Sequence, residues 1–296
     1  MKLAIFDDYR LGVVSPDEAR ITDVSAALPW PRDSDPFGAN WWVRLCRDFG
    51  ELRSRIESTA SSGPGRPLES VRLRAPVLNP SKIVACAANY AAHVAEMKGV
   101  RQRVGGPGEA RFSQFDVFLK APSSIIGPRE SVVLPPGPSS AGVEIHHESE
   151  LALVIGRGGS SIAEDRALDH VLGYTIGLDI TVRGAGDRSR RKSYDTFTPL
   201  GPWVTTADEV GDPHTLDIRL SIGGAVRQSV NTQDLGVKIP GIIAYTSGVM
   251  RLEPGDVILT GAPQGVGPIR DADVMDTEIS RLGRMLVSVR GMRNEG

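Results

Sequence analysis

Short runs of apolar and β-branched residues, cut off from one another by glycine and proline, most limit the folds open to this chain. They recur at Lys2 to Phe6, Leu11 to Val14, Lys82 to Ala87, Val117 to Lys120, Leu151 to Ile155, Thr215 to Ile222, Asp256 to Thr260 and Met285 to Arg290. Helical signals are few: the aromatic-rich segment Asn40 to Glu57, the run Ala163 to Val171 ahead of Gly173, and the stretch from Pro240 to Met250. A regular βαβ chain would need a helical segment of about ten residues or more after most strands. The pattern therefore predicts an α+β fold dominated by mixed sheet. With 33 glycines and 21 prolines among 296 residues, turn formers are abundant enough to join that many short strands.

The sharpest change of composition is STASSGPGRP, Ser58 to Pro67, between a helix-like segment and the strand-like run Val71 to Leu73. It reads as a connector between a small N-terminal domain, residues 1–67, and a main domain, residues 68–296. No stretch approaches the roughly 20 apolar residues of a membrane-spanning helix. Basic and acidic residues number 34 and 36, a net charge of −2, so no global field attracts nucleic acid. The local basic patch RSRRK, Arg188 to Lys192, reads either as a solvated loop or as an anion contact. Cys46 and Cys86 have neither metal nor redox spacing, and the N-terminal MKLAIFDDYR lacks the form of a secretory signal, so a cytoplasmic protein is expected.

The segment VEIHHESELALVIGRG, Val143 to Gly158, carries the most chemistry. Glu148 and Glu150 stand two apart at the start of an apolar strand, so their side chains share a face. Two carboxylates on one face repel unless a proton or a cation lies between them. A hard divalent cation such as Mg²⁺ would accept both, and a third carboxylate would complete a usual protein contribution. Asp179, in the apolar run GYTIGLDITVRG, is available for that place, although pairing with Arg183 four residues on would also explain it. Three carboxylates without an obligatory histidine or cysteine argue against zinc. His146 and His147 point to opposite faces if the strand is already regular there, and neither is expected in a metal shell. In CAANYAAHVAEMKG, Cys86 to Gly99, His93 and Glu96 would be neighbours on a helix. They read either as a surface pair or as a general base with its orienting carboxylate. The stretch Met97 to Gln114 has neither period and reads as a surface excursion or a mobile lid.

These residues resemble the fumarylacetoacetate hydrolase family. The likeness runs in order through NYAAH (Asn89 to His93), FLKAPSSIIGP (Phe118 to Pro128), HHESELALVIG (His146 to Gly156) and GYTIGLDITVR (Gly173 to Arg183). It continues through RKSYDTFTPLGPWV (Arg191 to Val204) and LEPGDVILTGAPQGVG (Leu252 to Gly267), and so covers about residues 75 to 290. The resemblance implies a β-rich fold, a homodimer and a Mg²⁺ or Mn²⁺ enzyme acting on small 2-oxo or β-dicarbonyl acids. It makes Glu148, Glu150 and Asp179 the metal ligands, and His93 and Glu96 the catalytic pair of a lid. It also sets Lys192 beside metal and substrate, with Lys120, Arg183, Thr260 and Gly261 on the substrate side. The expected reaction is hydrolysis of a C–C bond in an acylpyruvate through an enolate that metal and Lys192 stabilise. Decarboxylation or isomerisation of a 2-oxo dicarboxylate, a sugar-acid dehydratase or hydrolase, and a non-catalytic metal-stapled dimer are the alternatives. Two departures bear on substrate: Ala262 stands where the family often has a second hydroxyl, and the Met97 to Gln114 loop is long, with Arg101, Arg103 and Arg111 that either meet an acidic substrate or remain exposed.

Overall fold

The computed structural model describes residues 1–31, 40–104 and 115–291. Strands β1 (Lys2–Phe6), β2 (Arg10–Val14) and β3 (Arg20–Asp23) form an antiparallel meander, followed by helix α1 (Trp41–Ser62) and the short β4 (Arg66–Pro67). Next come β5 (Ile83–Ala87), helix α2 (Ala91–Val104), β6 (Asp116–Lys120), β7 (Ile125–Ile126) and β8 (Ser131–Leu134). The middle of the chain supplies α3 (Pro136–Ser140), β9 (Ile145–His147), β10 (Ser149–Ile155), β11 (Val171–Leu178), β12 (Thr181–Val182), α4 (Arg188–Lys192) and β13 (Thr198–Thr206). The last part holds α5 (Ala207–Val210), β14 (Asp217–Ile222), β15 (Ala225–Asn231) and α6 (Ile239–Val249). Strands β16 (Val257–Leu259), β17 (Gly267–Pro268), β18 (Val274–Ile279) and β19 (Gly283–Gly291) complete it.

The largest sheet has the order β4-β3-β2-β1-β13-β11-β10-β16-β5-β6, with β7 added parallel to β13. A five-stranded sheet, β15-β14-β18-β19-β8, and a small one, β12-β9-β17, accompany it. Strand β10 is buried on both faces between β11 and β16. Its Leu151, Leu153 and Ile155 join a core shared with Leu220, Met275 and Val287, whereas Ala152 and Val154 face the Trp42, Leu45 and Ile56 stripe of α1. A strand covered on both sides reads as a continuous apolar run, and that is why SELALVI loses its alternation after Glu150.

The α+β class expected from the sequence is the one observed. The composition break at Ser58 does not end the helix, however: α1 continues to Ser62. Thr59, Ser61 and Ser62 donate their hydroxyls to the carbonyls of Arg55, Glu57 and Ser58, absorbing the hydrogen-bonding capacity that otherwise favours a turn. The strands before residue 67 extend the main sheet through β1 on β13. Met97 to Val104, read as loop, is the second half of α2, and the rest of that stretch, including Arg111, lies outside the described residues. The Ala163 to Val171 signal is a 3₁₀ helix over Glu164–His170, and Val171 already begins β11. Among the described residues no helix is long and apolar enough to cross a membrane.

Candidate metal centre and active site

Glu148 occupies the break between β9 and β10, Glu150 is the second residue of β10, and Asp179 follows the last residue of β11. Because β10 and β11 are antiparallel neighbours with Ser149 opposite Leu178, the three carboxylates come together at one end of the sheet. The Asp179 N–H donates to Glu148 O at 2.8 Å and locks that corner. All three are buried, and one oxygen of each lies within 4.8 Å of the others.

Three buried cations surround them. Arg183 Nη2 donates to Glu148 Oε1 at 2.6 Å, and Lys192 Nζ, from α4, donates to Glu148 Oε2 at 2.6 Å and also to Asp179 Oδ2. Lys120 Nζ, at the end of β6, donates to Asp179 Oδ1 at 2.5 Å and to Phe197 O at 2.8 Å. The Asp179–Arg183 pairing that the sequence spacing allows is therefore not the one formed: Arg183 serves Glu148, and two lysines from distant segments serve Asp179. Lys120 is only 2% exposed, so it is not solvent-facing.

The charges divide the two glutamates. Burial pushes the Glu148 carboxyl up, but the neighbouring Lys192 and Arg183 charges overcome it and hold the group well below the usual carboxylate range, with His93 adding to the pull. Glu150 goes the other way: burial, then the Asp179 and Glu148 charges, hold its carboxyl well above that range. Its Oε2 accepts the Gly261 N–H at 2.6 Å, while Oε1 has no hydrogen-bond partner among the described residues. A buried carboxylate oxygen without a donor is costly. A hard divalent cation bound by three carboxylates would satisfy it, so the donor set fits Mg²⁺ or Mn²⁺.

Gly261 has φ +103°, and a Cβ there would lie 2.9 Å from Asn89 Cβ, so glycine both permits the turn and brings its N–H onto Glu150. Thr260 is buried behind it. Its hydroxyl donates to Leu151 O at 2.9 Å and its carbonyl accepts from Asn89 Nδ2 at 2.8 Å, so it ties β16 to its neighbours. Asn89, quoted above only as part of a motif, also donates to Val237 O and accepts the Val237 N–H, joining the start of α2 to the start of α6. Its place next to Tyr90 in NYAAH was its only signal.

On α2, His93 Nδ1 lies 3.3 Å from Glu96 Oε2, and both Glu96 oxygens accept the Gly265 N–H at 3.1 Å. Partial burial pushes the Glu96 carboxyl up, but the hydrogen bonds from His93 and Gly265 bring it below its ordinary value. The loop from Gly261 to Gly265 thus holds Glu150 at one end and the α2 pair at the other. His146 and His147 lie on β9, outside the carboxylate cluster. His146 Nε2 meets Glu144 Oε2 at 2.8 Å, and burial, then the Arg183 charge, pushes its ring down to about 4. His147 Nδ1 meets Gln228 Oε1 at 3.0 Å, an oxygen that also accepts the Ser149 N–H.

Residues 82–290 match the model of the fumarylacetoacetate hydrolase C-terminal family. The chain is 39% identical, over 99% of its length and all of the relative's, to maleylpyruvate hydrolase of Aquipseudomonas alcaligenes. It is 38% identical to the mitochondrial oxaloacetate tautomerase FAHD2A of Homo sapiens, covering 78% of this chain and 73% of that one. The crystal structure of maleylpyruvate hydrolase from Sphingobium sp. SYK-6, in complex with manganese(II) ion and pyruvate, is similar with a TM-score of 0.85 and 43% identity, covering 99% of this chain and all of that one.

Proposed function

The chain belongs to the fumarylacetoacetate hydrolase family, and from that premise we propose that it hydrolyses the C–C bond of an acylpyruvate, releasing pyruvate and a carboxylic acid. Glu148, Glu150 and Asp179 hold the divalent ion, Mg²⁺ or Mn²⁺, and the unpartnered Glu150 Oε1 supports that role. When bound, the ion supplies Lewis-acid polarisation of the 2-oxo acid. His93, oriented by Glu96, takes the proton of the water that attacks the distal carbonyl. Lys192 keeps a positive charge beside the oxyanion that develops as the C–C bond breaks. Lys120 and Arg183 each neutralise one carboxylate and fix its orientation. Gly261 acts through Glu150, and Thr260 through the strand end that carries Gly261.

The observation that carries this reading is end-to-end similarity to two maleylpyruvate hydrolases in a chain that also gathers the carboxylate triad. The tautomerase similarity favours a second reading, proton transfer on a 2-oxo dicarboxylate without bond cleavage, because the His93–Glu96 pair suits it equally well. We also assign a homodimer, measurable by sedimentation. Incubating the protein with Mg²⁺ or Mn²⁺ and acylpyruvates or oxaloacetate, with products separated by mass, distinguishes the readings. Equal amounts of pyruvate and a second acid support the hydrolase; rearranged but uncleaved substrate supports the tautomerase.

A further inference from the structure

Strand β15 lies at the edge of the five-stranded sheet, and Gln228, 1% exposed, is its one buried residue. An inward position on such a strand normally carries an apolar side chain, and a buried glutamine needs partners for its amide. The register shows what turns it inward. Leu220 of β14 faces Gln228 while Ser221 faces Val226, so Arg227 is the extra residue of a β-bulge. A bulge re-aims the side chains beside it. The Arg227 carbonyl meets Gly265, where φ is +90° and a Cβ would strike that carbonyl.

The amide of Gln228 joins segments that carry the site. Its Oε1 accepts the N–H of Ser149, which stands between Glu148 and Glu150, at 2.9 Å, and lies 3.0 Å from His147 Nδ1. An amide oxygen only accepts, so the His147 ring carries its proton on Nδ1. Gln228 Nε2 donates to Pro263 O at 3.3 Å. Pro263 is the middle of the loop whose Gly261 N–H holds Glu150 and whose Gly265 N–H holds Glu96. A carboxylate in place of the amide could not donate to Pro263 O, and an apolar side chain could neither donate nor accept.

We propose that Gln228 is a positioning residue: its amide fastens the strand segment between the two metal-binding glutamates to the loop that holds Glu96, and so sets where the His93–Glu96 pair stands relative to the carboxylate triad. The inference rests on the reading in which His93, oriented by Glu96, takes the proton, and it adds a residue that acts through others. The path is short. Pro263 is two residues from Gly265, both Glu96 oxygens accept the Gly265 N–H, and Glu96 Oε2 lies 3.3 Å from His93 Nδ1. A misplacement of about 1 Å at a reacting group costs about 10²-fold in rate.

Gln228→Met keeps the bulk and removes all three contacts. With acetylpyruvate and Mn²⁺, kcat should fall by about tenfold or more while KM stays within about threefold. In a Glu96→Ala background, where the path to His93 is already cut, the same substitution should lower kcat by less than about twofold. Equal losses in the two backgrounds, or a raised KM at unchanged kcat, overturn the proposal, because a general loosening of the fold does not depend on Glu96. Gln228→Glu, whose ionised carboxylate keeps oxygens for Ser149 and His147 and loses only the donor to Pro263 O, gives the same comparison if the methionine variant does not fold. Amide hydrogen exchange on the chelator-treated protein separates the inference from its premise. The Gly265 N–H should exchange at least about tenfold faster in the variant while the amides of β11 keep their rates. An unchanged Gly265 rate, or an equal acceleration in β11, overturns the inference. A faster Gly265 alone, in a protein that does not turn over acetylpyruvate, upholds the link while the acylpyruvate reading falls.

Discussion

Replacing Lys192 with methionine takes one cation out of the carboxylate cage while keeping much of the side chain's bulk. With the Glu150 carboxyl held well above the usual range, Glu148 and Asp179 face Lys120, Arg183 and Lys192, so the variant strips each of the two of one of its two cations and leaves Arg183 on Glu148 and Lys120 on Asp179. Unit charges about 4 Å apart at an effective dielectric of about 20 interact by about 4 kcal/mol, and breaking a buried pair costs about 3–5 kcal/mol because the remaining charge is stranded. The remaining Arg183 and Lys120 contacts relieve part of this, so the metal-free variant should lose about 3 kcal/mol of stability in chelator-treated denaturation. Metal binding should move oppositely. Without an ammonium competing for the Glu148 and Asp179 oxygens, Mn²⁺ should bind at least tenfold more tightly by calorimetry, or by about 1.4 kcal/mol. Activity should nevertheless fall by about 10²–10³-fold in kcat, because the charge beside the developing oxyanion is gone. An unchanged denaturation midpoint, or an Mn²⁺ affinity that drops together with stability, would refute the idea that lysine and ion share the same oxygens.

His93→Ala should lower kcat by about 10²-fold or more while leaving Mn²⁺ affinity within about threefold, and Glu96→Gln should show a smaller loss; a normal kcat in His93→Ala removes it from proton transfer. Gly261→Ala forces a side chain into φ +103° against Asn89, so a thermal melt should report about 1–3 kcal/mol of lost stability, and weaker Mn²⁺ binding should accompany it through Glu150. His146 is held neutral in the fold down to about pH 4, whereas the unfolded chain protonates near 6.5. Between those values the unfolded state binds the extra proton, so stability present above pH 6.5 is lost as pH falls toward 4. Denaturation midpoints across that window should slope less in His146→Asn than in wild type, and equal slopes would clear His146 of this effect.

The parts of this molecule that announce themselves in sequence are those in which one local rule acts. Lys2–Phe6 forms the strand its apolar run predicts, and the Glu-x-Glu spacing at Glu148 and Glu150 carries the carboxylate pair. Strands β11 and β13 lack a clean strand signal because Gly173, Gly177, Gly201 and Pro202 look like turn formers. Packing reverses that meaning: a Cβ on Gly173 would lie 2.3 Å from Thr205 O, and one on Gly177 2.4 Å from Leu259 Cδ2, so the glycines let strands and core approach. The pairing of Arg183 with Glu148, and of Lys120 with Asp179, depends on contacts 35 and 59 residues apart along the chain. Spacing along one strand cannot carry such information. Asn89 is a similar case, since its partners Thr260 and Val237 come from two other elements.

In the proposed metal centre, Glu148, Glu150 and Asp179 together hold the divalent ion on which the reaction depends. Anomalous diffraction from crystals grown with Mn²⁺ tests it most directly. A single strong manganese peak bonded to an oxygen of each of the three carboxylates, Glu150 Oε1 among them, is expected, with Lys192 Nζ displaced from at least one of its present partners. A manganese peak bonded to His146 or His147, or one that leaves Glu150 Oε1 without a partner, would contradict it.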